Sequence, residues 1–476
     1  MTKYGLVVAA AVVYVVLTGQ VFAQNEFGKY FKDETCRFDY VHTGTKGSEQ
    51  ISLDKISIEG AWPGSLTALI DTLNLGEYEF KLFDADQDRV IYSRGYSTVF
   101  NEWQTTDEAL RGAYRAFSES IRFPLPLKKT RLELFRRNKR MEFEKIFTAV
   151  IDPSSTEIIR DALLPKFPVT QIIHNGPAHE KVDIVLLGDG YTKKEMKKFL
   201  ADARHYADQL FATQPFKSRK QDFNVWAVSV PSDESGIDQP DKNIWRRTAL
   251  GTSYNTFGSA RYVLTMDNEA VRSYAARAPY DFVCILVNTP RYGGGGIFQL
   301  YATCFTGAES KETAWFSDYV FVHEFGHCFG GLGDEYYTSD VPYTDFLPAG
   351  VEPWEPNVAA IVTREKLKWR DLVAAATPLP TEWGKNLYDS LAAAPRSFQK
   401  NAPDYNEKRK AAAAAITQFL DKHPLTNVVG AFEGAGYLSK GLYRPAVNCR
   451  MFSKSLIDFD PVCSRAINRM IDLYSK

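Results

Sequence analysis

This chain of 476 residues has few cysteines and almost no net charge. Six cysteines are too few for a disulfide framework to determine the fold, although Cys449 and Cys463 are close enough in sequence to pair. The formal net charge is −1, so the charge balance favours neither nucleic acid nor an anionic membrane surface as a partner. The composition is otherwise that of a globular protein, and the length indicates more than one domain.

Long apolar runs are missing everywhere except at the N-terminus. There Lys3 precedes an apolar run over residues 6–17, and Thr18 and Gly19 follow it, with Ala23 at the end of the segment. A positive start, a run of about a dozen apolar residues and a small-residue exit predict a signal peptide over residues 1–24. Because a membrane span needs about 20 apolar residues, we expect none in the mature chain. The protein is therefore expected to be exported, whether secreted, on the cell surface or periplasmic.

Residues 25–160 have the pattern of a small β-rich domain. The segments YEFKLF and RVIY, separated by a polar turn, predict one hairpin, and TRLELF with MEFEKIF predicts a second. Between them, residues 105–121 have apolar residues at helical spacing and predict a helix. A β-sandwich-like domain with one helix is the expected arrangement, and turn formers between Asp152 and Pro168 place its boundary there.

Residues 161–476 alternate between buried strands and helices, which predicts an α/β (α+β) domain with a mixed sheet. The predicted strands are KVDIVLLGDG, FNVWAVSV, DFVCILVN and the glycine-led YGGGGIFQLYATC. Since glycine lets another backbone approach closely, the last of these is expected to be an edge strand that pairs with an extended peptide. Residues 339–425 are polar and rich in proline and alanine, and we interpret them as a helical insertion outside the core.

The segment VHEFGHCFGGLGDEYY contains the candidate metal ligands and the candidate catalytic base. His323 and His327 lie one turn apart on a predicted helix, which lets two imidazoles bind one ion. Glu324 is one step round the helix, where it can take a proton from an attacking water and pass it to the leaving amine. None of the other five histidines has a partner at this spacing. The sequence therefore predicts one metal site on this helix.

Glycines in and after the motif have structural uses. Gly330 and Gly331 predict the end of the helix, and the reversal that follows can bring Asp334 or Glu335 back to the metal as a third ligand. Gly326 lies inside the helix, where glycine costs about 0.5–1 kcal/mol relative to alanine. We therefore expect another segment to approach the helix closely at Gly326.

The sequence HEFGHCFGGLGDEYY resembles the metal motif of the IgA-peptidase family of zinc metallopeptidases, in which His-Glu-x-x-His is followed by Gly-Leu-x-Asp-Glu-Tyr. Further segments resemble that family in the same order: VDIVLLGDGYT, FNVWAVSVPSDESGID, YGGGG, GAFEGAGY, GLYRPAVNCRM and DPVCSRAI. The resemblance covers most of residues 170–476. The preceding residues are similar to the β-rich domain that comes before the peptidase in such proteins.

The resemblance implies a zincin-type catalytic domain that binds one Zn²⁺ per chain. It makes His323 and His327 zinc ligands, Asp334 the third ligand with Glu335 as the alternative, and Glu324 the general base. The implied activity is that of a secreted zinc endopeptidase acting on a protein or peptide substrate, with immunoglobulin A and other host glycoproteins as candidates.

Three further residues take expected roles from the resemblance. Met451 resembles the methionine in the turn beneath the metal of related zincins, and Tyr437 and Tyr443 are candidates for stabilising the oxyanion. The alternative function is a non-catalytic surface protein, an adhesion or glycan-binding module with a retained zinc site. Chelator-sensitive cleavage of denatured casein would distinguish the peptidase from the binding protein.

Overall fold

The computed structural model describes residues 26–160, 166–308, 310, 313–338, 350–399 and 404–475. The predicted signal peptide, residues 1–24, lies outside the described residues. Within them, no helix is both long enough and apolar enough to cross a membrane. Residues 26–30 are helical and are named α1.

The N-terminal part is a sandwich of two antiparallel sheets around an aromatic-rich core. One sheet has the strand order β2-β1-β5 and the other β4-β3-β6-β7. Both predicted hairpins are confirmed, as β3 with β4 and as β6 with β7. The strands are β1 (Phe31–Thr45), β2 (Ser48–Ile58), β3 (Tyr78–Asp84), β4 (Arg89–Tyr96), β5 (Arg115–Pro126), β6 (Thr130–Arg137) and β7 (Phe143–Ile151).

The helix predicted over residues 105–121 is wrong for most of its length. Only two short helices form here, α2 (Val99–Gln104) and α3 (Asp107–Leu110), and Gly112, two residues after α3, has a φ of +83°. The chain then continues as β5, which pairs with β1 along nearly its whole length. The helical spacing of apolar residues was overridden because this pairing satisfies the backbone and also buries Phe117 and Ile121.

The C-terminal part contains a six-stranded mixed sheet with the order β12-β13-β11-β9-β10-β8, which confirms the predicted fold class. The inner strands run parallel, and the edge strands β8 and β12 are antiparallel to their neighbours. The elements are β8 (Val169–Ile173), β9 (Val182–Asp189), α4 (Met196–Ala212), β10 (Phe223–Val228), α5 (Asn268–Ala275), β11 (Phe282–Val287), β12 (Gly294–Ile297), β13 (Tyr301–Phe305), α6 (Trp315–Gly330), α7 (Lys385–Ala393), α8 (Tyr405–Asp421), β14 (Phe432–Ala435), β15 (Leu438–Arg444) and α9 (Pro461–Tyr474).

The segment expected to be one glycine-led strand is instead the hairpin β12–β13. The chain turns at Gln299, whose φ is +62°. The expectation of an edge strand is confirmed, because β12 is the outermost strand of the sheet.

Helix α6 is mostly apolar and lies in the interior of the C-terminal part. Its side chains pack on β12 and β13, on α4 and on α9. A largely apolar helix has to be covered, and these elements cover most of it, while Glu324 and His327 lie on the part that faces the cleft. The motif histidines are therefore held by a rigid, buried element.

The interpretation of residues 339–425 as a helical insertion fits only their second half, which contains α7 and α8. Residues 350–383 have no α-helix and contribute to the interior, where Leu367 and Trp369 are fully buried with Ala431. The composition predicted a segment outside the core because most of these residues are polar or small, but a few large apolar side chains are enough to pack it into the interior. Residues 339–349 and 400–403 lie outside the described part of the chain.

The two parts of the molecule are joined by several specific contacts. The Arg122 guanidinium donates to the carbonyl of Tyr280 at 2.8 Å and stacks 3.5 Å from the centre of its ring. Asn268 Nδ2 donates to Ser120 Oγ at 2.6 Å. A cleft of about 520 Å³ lies between the two parts and is lined by residues from both.

Candidate metal centre

The way in which α6 ends determines where Asp334 lies relative to the motif histidines. Helix α6 ends at Gly330, and Gly331 adopts a left-handed conformation with φ +60°. The amide of Gly331 bonds back to the carbonyl of His327 at 3.1 Å, so the chain reverses. The predicted helix end is confirmed, and the reversed chain carries Asp334 back towards the helix.

Three polar atoms form a nearly equilateral triangle. Nε2 of His323 and Nε2 of His327 are 3.2 Å apart. Oδ1 of Asp334 lies 3.1 Å from the first and 3.2 Å from the second. Tetrahedral zinc with ligand bonds of about 2.0–2.1 Å requires ligand atoms about 3.3 Å apart. The spacing of the three atoms therefore fits the ligand set of one ion.

Backbone carbonyls fix the orientation of both imidazoles. Nδ1 of His323 donates to the carbonyl of Arg450 at 3.1 Å, and the Tyr319 hydroxyl lies 3.2 Å from the same nitrogen. Nδ1 of His327 donates to the carbonyl of Leu332 at 2.5 Å. With the proton on Nδ1, each Nε2 presents a lone pair to the triangle, which is how histidine ligands are usually supported.

The Asp334 carboxylate is supported on one oxygen only. Its Oδ2 accepts a hydrogen bond from the Tyr437 hydroxyl at 2.5 Å. Its buried Oδ1 faces the Nε2 atoms of the two imidazoles, at 3.1 and 3.2 Å. Burial opposes ionisation of this carboxyl, but attraction to protonated His327 and His323 outweighs it and holds the pKa of Asp334 well below the usual range, and the same pairing raises the pKa of His327 to about 9. Without an ion, a proton on an imidazole therefore balances the buried carboxylate, and a cation bound by all three groups would take its place.

The structure separates the two candidates for the third ligand. Glu335 points away from the imidazoles into a different buried cluster, where its Oε1 accepts from Asn357 Nδ2 at 2.9 Å. Asp334 is brought together with His323 and His327. The roles of these residues as ligands remain predictions, and the geometry favours Asp334.

Glu324 lines the cleft beside the triangle. Burial raises the pKa of its carboxyl above the usual value. The imidazoles of His323 and His327 and the guanidinium of Arg261 act in the opposite direction and favour the carboxylate. A carboxylate whose pKa is shifted towards neutrality, next to three potential metal ligands, is suited to accept and return a proton.

The glycine at position 326 is explained by the close approach of another segment to α6. A Cβ at this position would lie 3.0 Å from Sδ of Met451 and 3.1 Å from Cε1 of Phe459. The expected close approach to α6 is therefore present, and Met451 lies fully buried beneath the helix. This is the position expected for the methionine of a turn under the metal.

The glycines of β12 allow α6 to lie directly on the strand. A Cβ on Gly296 would be 2.2 Å from the carbonyl oxygen of Glu324, and one on Gly294 would be 2.7 Å from Val320 Cγ1. No residue with a side chain could occupy Gly296 without moving the helix. The glycine run thus brings the strand close to the candidate base.

The outer edge of β12 is partly occupied. Gly294 bonds through its amide and its carbonyl to the backbone of residues 261–263, and the carbonyl of Phe298 accepts from the amide of Ser97. In an antiparallel pair, every second residue directs its backbone groups away from the partner strand. Since Gly294 and Phe298 point outward, Gly296, which lies between them, does so too. Among the described residues, no hydrogen bond to the outward groups of Gly296 is present, and this position opens on the cleft.

Sequence reasoning missed Arg261 and Tyr292, which both line the cleft near Glu324. Arg261 is hydrogen-bonded to the Tyr292 hydroxyl and interacts electrostatically with Asp334. Arg261 precedes a short segment without any motif, so no local signal marks it. Of the two tyrosines considered for the oxyanion, Tyr437 supports Asp334, and Tyr443 is not among the residues that line the cleft.

A mixed sheet with a buried helix under its edge, two imidazoles on that helix and a carboxylate returning from its end define a zincin-type catalytic domain. The family model described as IgA Peptidase M64 matches residues 170–471, and the model described as Peptidase M64 N-terminus matches residues 26–148. The chain therefore belongs to the IgA peptidase M64 family of metallopeptidases, which confirms the resemblance seen in the sequence. No curated protein matches the chain.

Proposed function

We propose that the protein is an exported zinc-dependent endopeptidase in which His323, His327 and Asp334 hold the metal and Glu324 is the general base. The observation that carries the proposal is the triangle of two Nε2 atoms and one buried carboxylate oxygen, all within 3.2 Å of one another beside Glu324. Nitrogen and carboxylate ligands suit zinc, and three protein ligands leave a position open for catalysis.

The chemistry divides between the metal and the chain. Zinc bound at the triangle would act as a Lewis acid towards a peptide carbonyl and would lower the pKa of water. Glu324 takes the proton of the attacking water and delivers it to the leaving amine. Arg450 and Leu332 hold the imidazoles through their carbonyls, and Tyr437 holds the carboxylate of Asp334.

We assign Arg261 and Tyr292 to the stabilisation of the oxyanion. Both lie in the cleft near Glu324, and burial raises the pKa of the Tyr292 hydroxyl to about 12, so it remains a donor at neutral pH. Loss of one such donor typically lowers kcat about 10²–10³-fold. Arg261→Ala should therefore lower kcat strongly while the zinc content is unchanged, and normal turnover would contradict this assignment.

The cleft favours an extended polypeptide as the substrate. Its volume of about 520 Å³ is within the range of sites for short peptide segments and drug-sized ligands, about 300–1,000 Å³. An extended chain can pair with the outward groups of Gly296 and thereby place its scissile carbonyl beside Glu324. Immunoglobulin A and other host glycoproteins are the first substrates to test, with cleavage sites mapped by mass spectrometry.

The decisive variant is Glu324→Gln. It keeps the size of the side chain but removes the base, so we expect full zinc content and a normal melting temperature, with turnover of a protein substrate lowered by about 10²–10⁴-fold. Glu102→Gln is the matched control, because Glu102 also lines the cleft but lies on the wall formed by the N-terminal part. Equal activity of the Glu324→Gln variant and the control would refute the proposed role of Glu324.

A further inference from the structure

A second group of potential ligands lies buried close to the first. Glu335, Cys449, Asp460 and Cys463 each offer one ligand atom, and these four atoms lie within 4.8 Å of one another. Glu335, Cys449 and Cys463 are completely buried, and Asp460 is 6% exposed. The group shares no residue with the triangle formed by His323, His327 and Asp334.

The distances within this group fit a metal ion better than a disulfide. Sγ of Cys449 and Sγ of Cys463 are 3.8 Å apart. Two thiolates on tetrahedral zinc, with bonds of about 2.3 Å, lie about 3.8 Å apart, whereas bonded sulfurs are separated by about 2.05 Å. The Cys463 sulfur also lies 3.2 Å from Oε1 of Glu335. Sulfur and oxygen donors therefore converge on one point.

Each carboxylate is bonded on one oxygen and lacks a partner on the other. Oδ1 of Asp460 accepts from the amides of Val462 and Cys463 at 2.7 and 3.1 Å, at the start of α9. Oε1 of Glu335 accepts from Asn357 Nδ2 at 2.9 Å. The other oxygens, Oδ2 and Oε2, are buried and have no hydrogen-bond partner in the described part of the chain. Two such oxygens in one cluster require a cation or a proton.

Burial raises the pKa of the Cys449 and Cys463 thiols, and two neighbouring groups act against that effect at Cys449. The amide of Asp460 donates to Sγ of Cys449 at 3.4 Å. The guanidinium of Arg444 is fully buried and interacts electrostatically with Glu335 and Cys449. An amide donor and a buried cation would stabilise the thiolate that forms when a metal ion binds.

We propose that Glu335, Cys449, Asp460 and Cys463 form a second metal site, a structural one, for a thiophilic divalent cation such as zinc. All four positions of a tetrahedral ion are then filled by protein, as in structural zinc sites. Arg444 offsets part of the negative charge that four anionic ligands leave on the site.

The second site connects the C-terminal helix to the segment that places Asp334. Glu335 is the next residue in the chain, and its amide donates to the carbonyl of Met451 at 3.0 Å. An ion that binds Glu335 together with Cys463 of α9 therefore fixes the backbone on which Asp334 stands. This positioning role rests on the proposed function of the first site, whereas the existence of the second site does not.

The test uses the full chain with the first site removed. In the His323→Ala/His327→Ala variant we expect about one zinc ion per chain after dialysis, against about two in the unmodified protein. Replacing that ion by Co²⁺ should give sulfur-to-cobalt charge-transfer absorption in the near ultraviolet. Absence of bound metal from the double variant, with a normal melting temperature, would overturn the proposal. Zinc in this variant supports the second site whether or not Glu324→Gln abolishes proteolysis.

The second site is removed by Cys449→Ser/Cys463→Ser and, more mildly, by Asp460→Asn. Asparagine still caps the start of a helix, so the latter variant should fold while it loses the second ion more readily to a chelator. Cys284→Ser is the control, because Cys284 is an equally buried cysteine of the central sheet. Unchanged metal retention in Asp460→Asn would contradict the ligand assignment.

A disulfide between Cys449 and Cys463 is the competing outcome, and thiol counting excludes or establishes it. The protein is denatured with chelator but without reductant, alkylated and weighed. All six cysteines should be alkylated if the sulfurs bind a metal. Only four alkylated cysteines, with the remaining pair linking these two positions, would overturn the proposal.

Discussion

Replacing Tyr437 by phenylalanine should weaken metal binding without removing a ligand. The hydroxyl of Tyr437 donates to Oδ2 of Asp334 at 2.5 Å, and Oδ1 of the same carboxylate faces the two imidazoles. A hydrogen bond to a charged group contributes about 1.5–3 kcal/mol. If all of that energy orients the carboxylate for the ion, zinc affinity falls by about 10–100-fold, the range found for lost outer-shell partners.

The assay is competition for zinc against a chelator of known affinity, followed by turnover of a protein substrate at saturating zinc. We expect Tyr437→Phe to need more zinc for half-maximal activity and to recover most of kcat once saturated. Tyr443→Phe is the matched control, since Tyr443 lies nearby on β15 but does not line the cleft. It should behave like the unmodified protein in both measurements.

Two results would refute the reasoning about Tyr437. Unchanged zinc affinity with a large loss of kcat would mean that the hydroxyl acts on the substrate rather than on Asp334. Unchanged affinity and unchanged kcat would mean that the hydrogen bond contributes nothing to the site. Either result would require another explanation for the orientation of the carboxylate.

Two further predictions concern stability. Gly296→Ala should destabilise the protein by about 1–3 kcal/mol, because its Cβ would lie 2.2 Å from a backbone oxygen of α6. Gly60→Ala is the control and should be neutral, since a Cβ at Gly60 would have no atom within 4 Å. Thermal unfolding measures the stability of both variants. For His42, burial lowers the pKa, but Glu119 and Glu49 outweigh it and raise the pKa above 6.5. This stabilisation is complete below the unfolded pKa and is lost as the pH rises through the folded one, so the melting temperature should fall above about pH 6.5. A melting temperature independent of pH in this range would contradict the charge assignment.

The helix and the convergence of its two histidines could be predicted because their signals are local. The spacing of His323 and His327 and the glycines after them depend only on the geometry of one helix and its end. The choice between Asp334 and Glu335 could not be made from sequence, because adjacent side chains in an extended segment point in opposite directions. Only the packing of distant residues, such as Asn357 against Glu335, decides which one faces the imidazoles.

The supports of the site come from positions far away in the chain, which explains why the sequence did not indicate them. The carbonyl that orients His323 belongs to Arg450, and the cleft residue Arg261 lies between elements without a motif. The misassigned helix over residues 105–121 has the same origin, since pairing with β1 outweighed the local spacing. Long-range pairing is the information that one sequence lacks.

In the proposed mode of substrate binding, the occupied edge of β12 limits which polypeptides can be cut. With residues 261–263 on one side of Gly296 and Ser97 on the other, an incoming chain gains backbone hydrogen bonds over a single position. Such a short contact provides too little free energy to pull a strand out of a folded sheet. Cleavage should therefore occur in linkers and hinge-like stretches that are already unfolded, and the flexibility of the target would select the cut site as strongly as its side chains do.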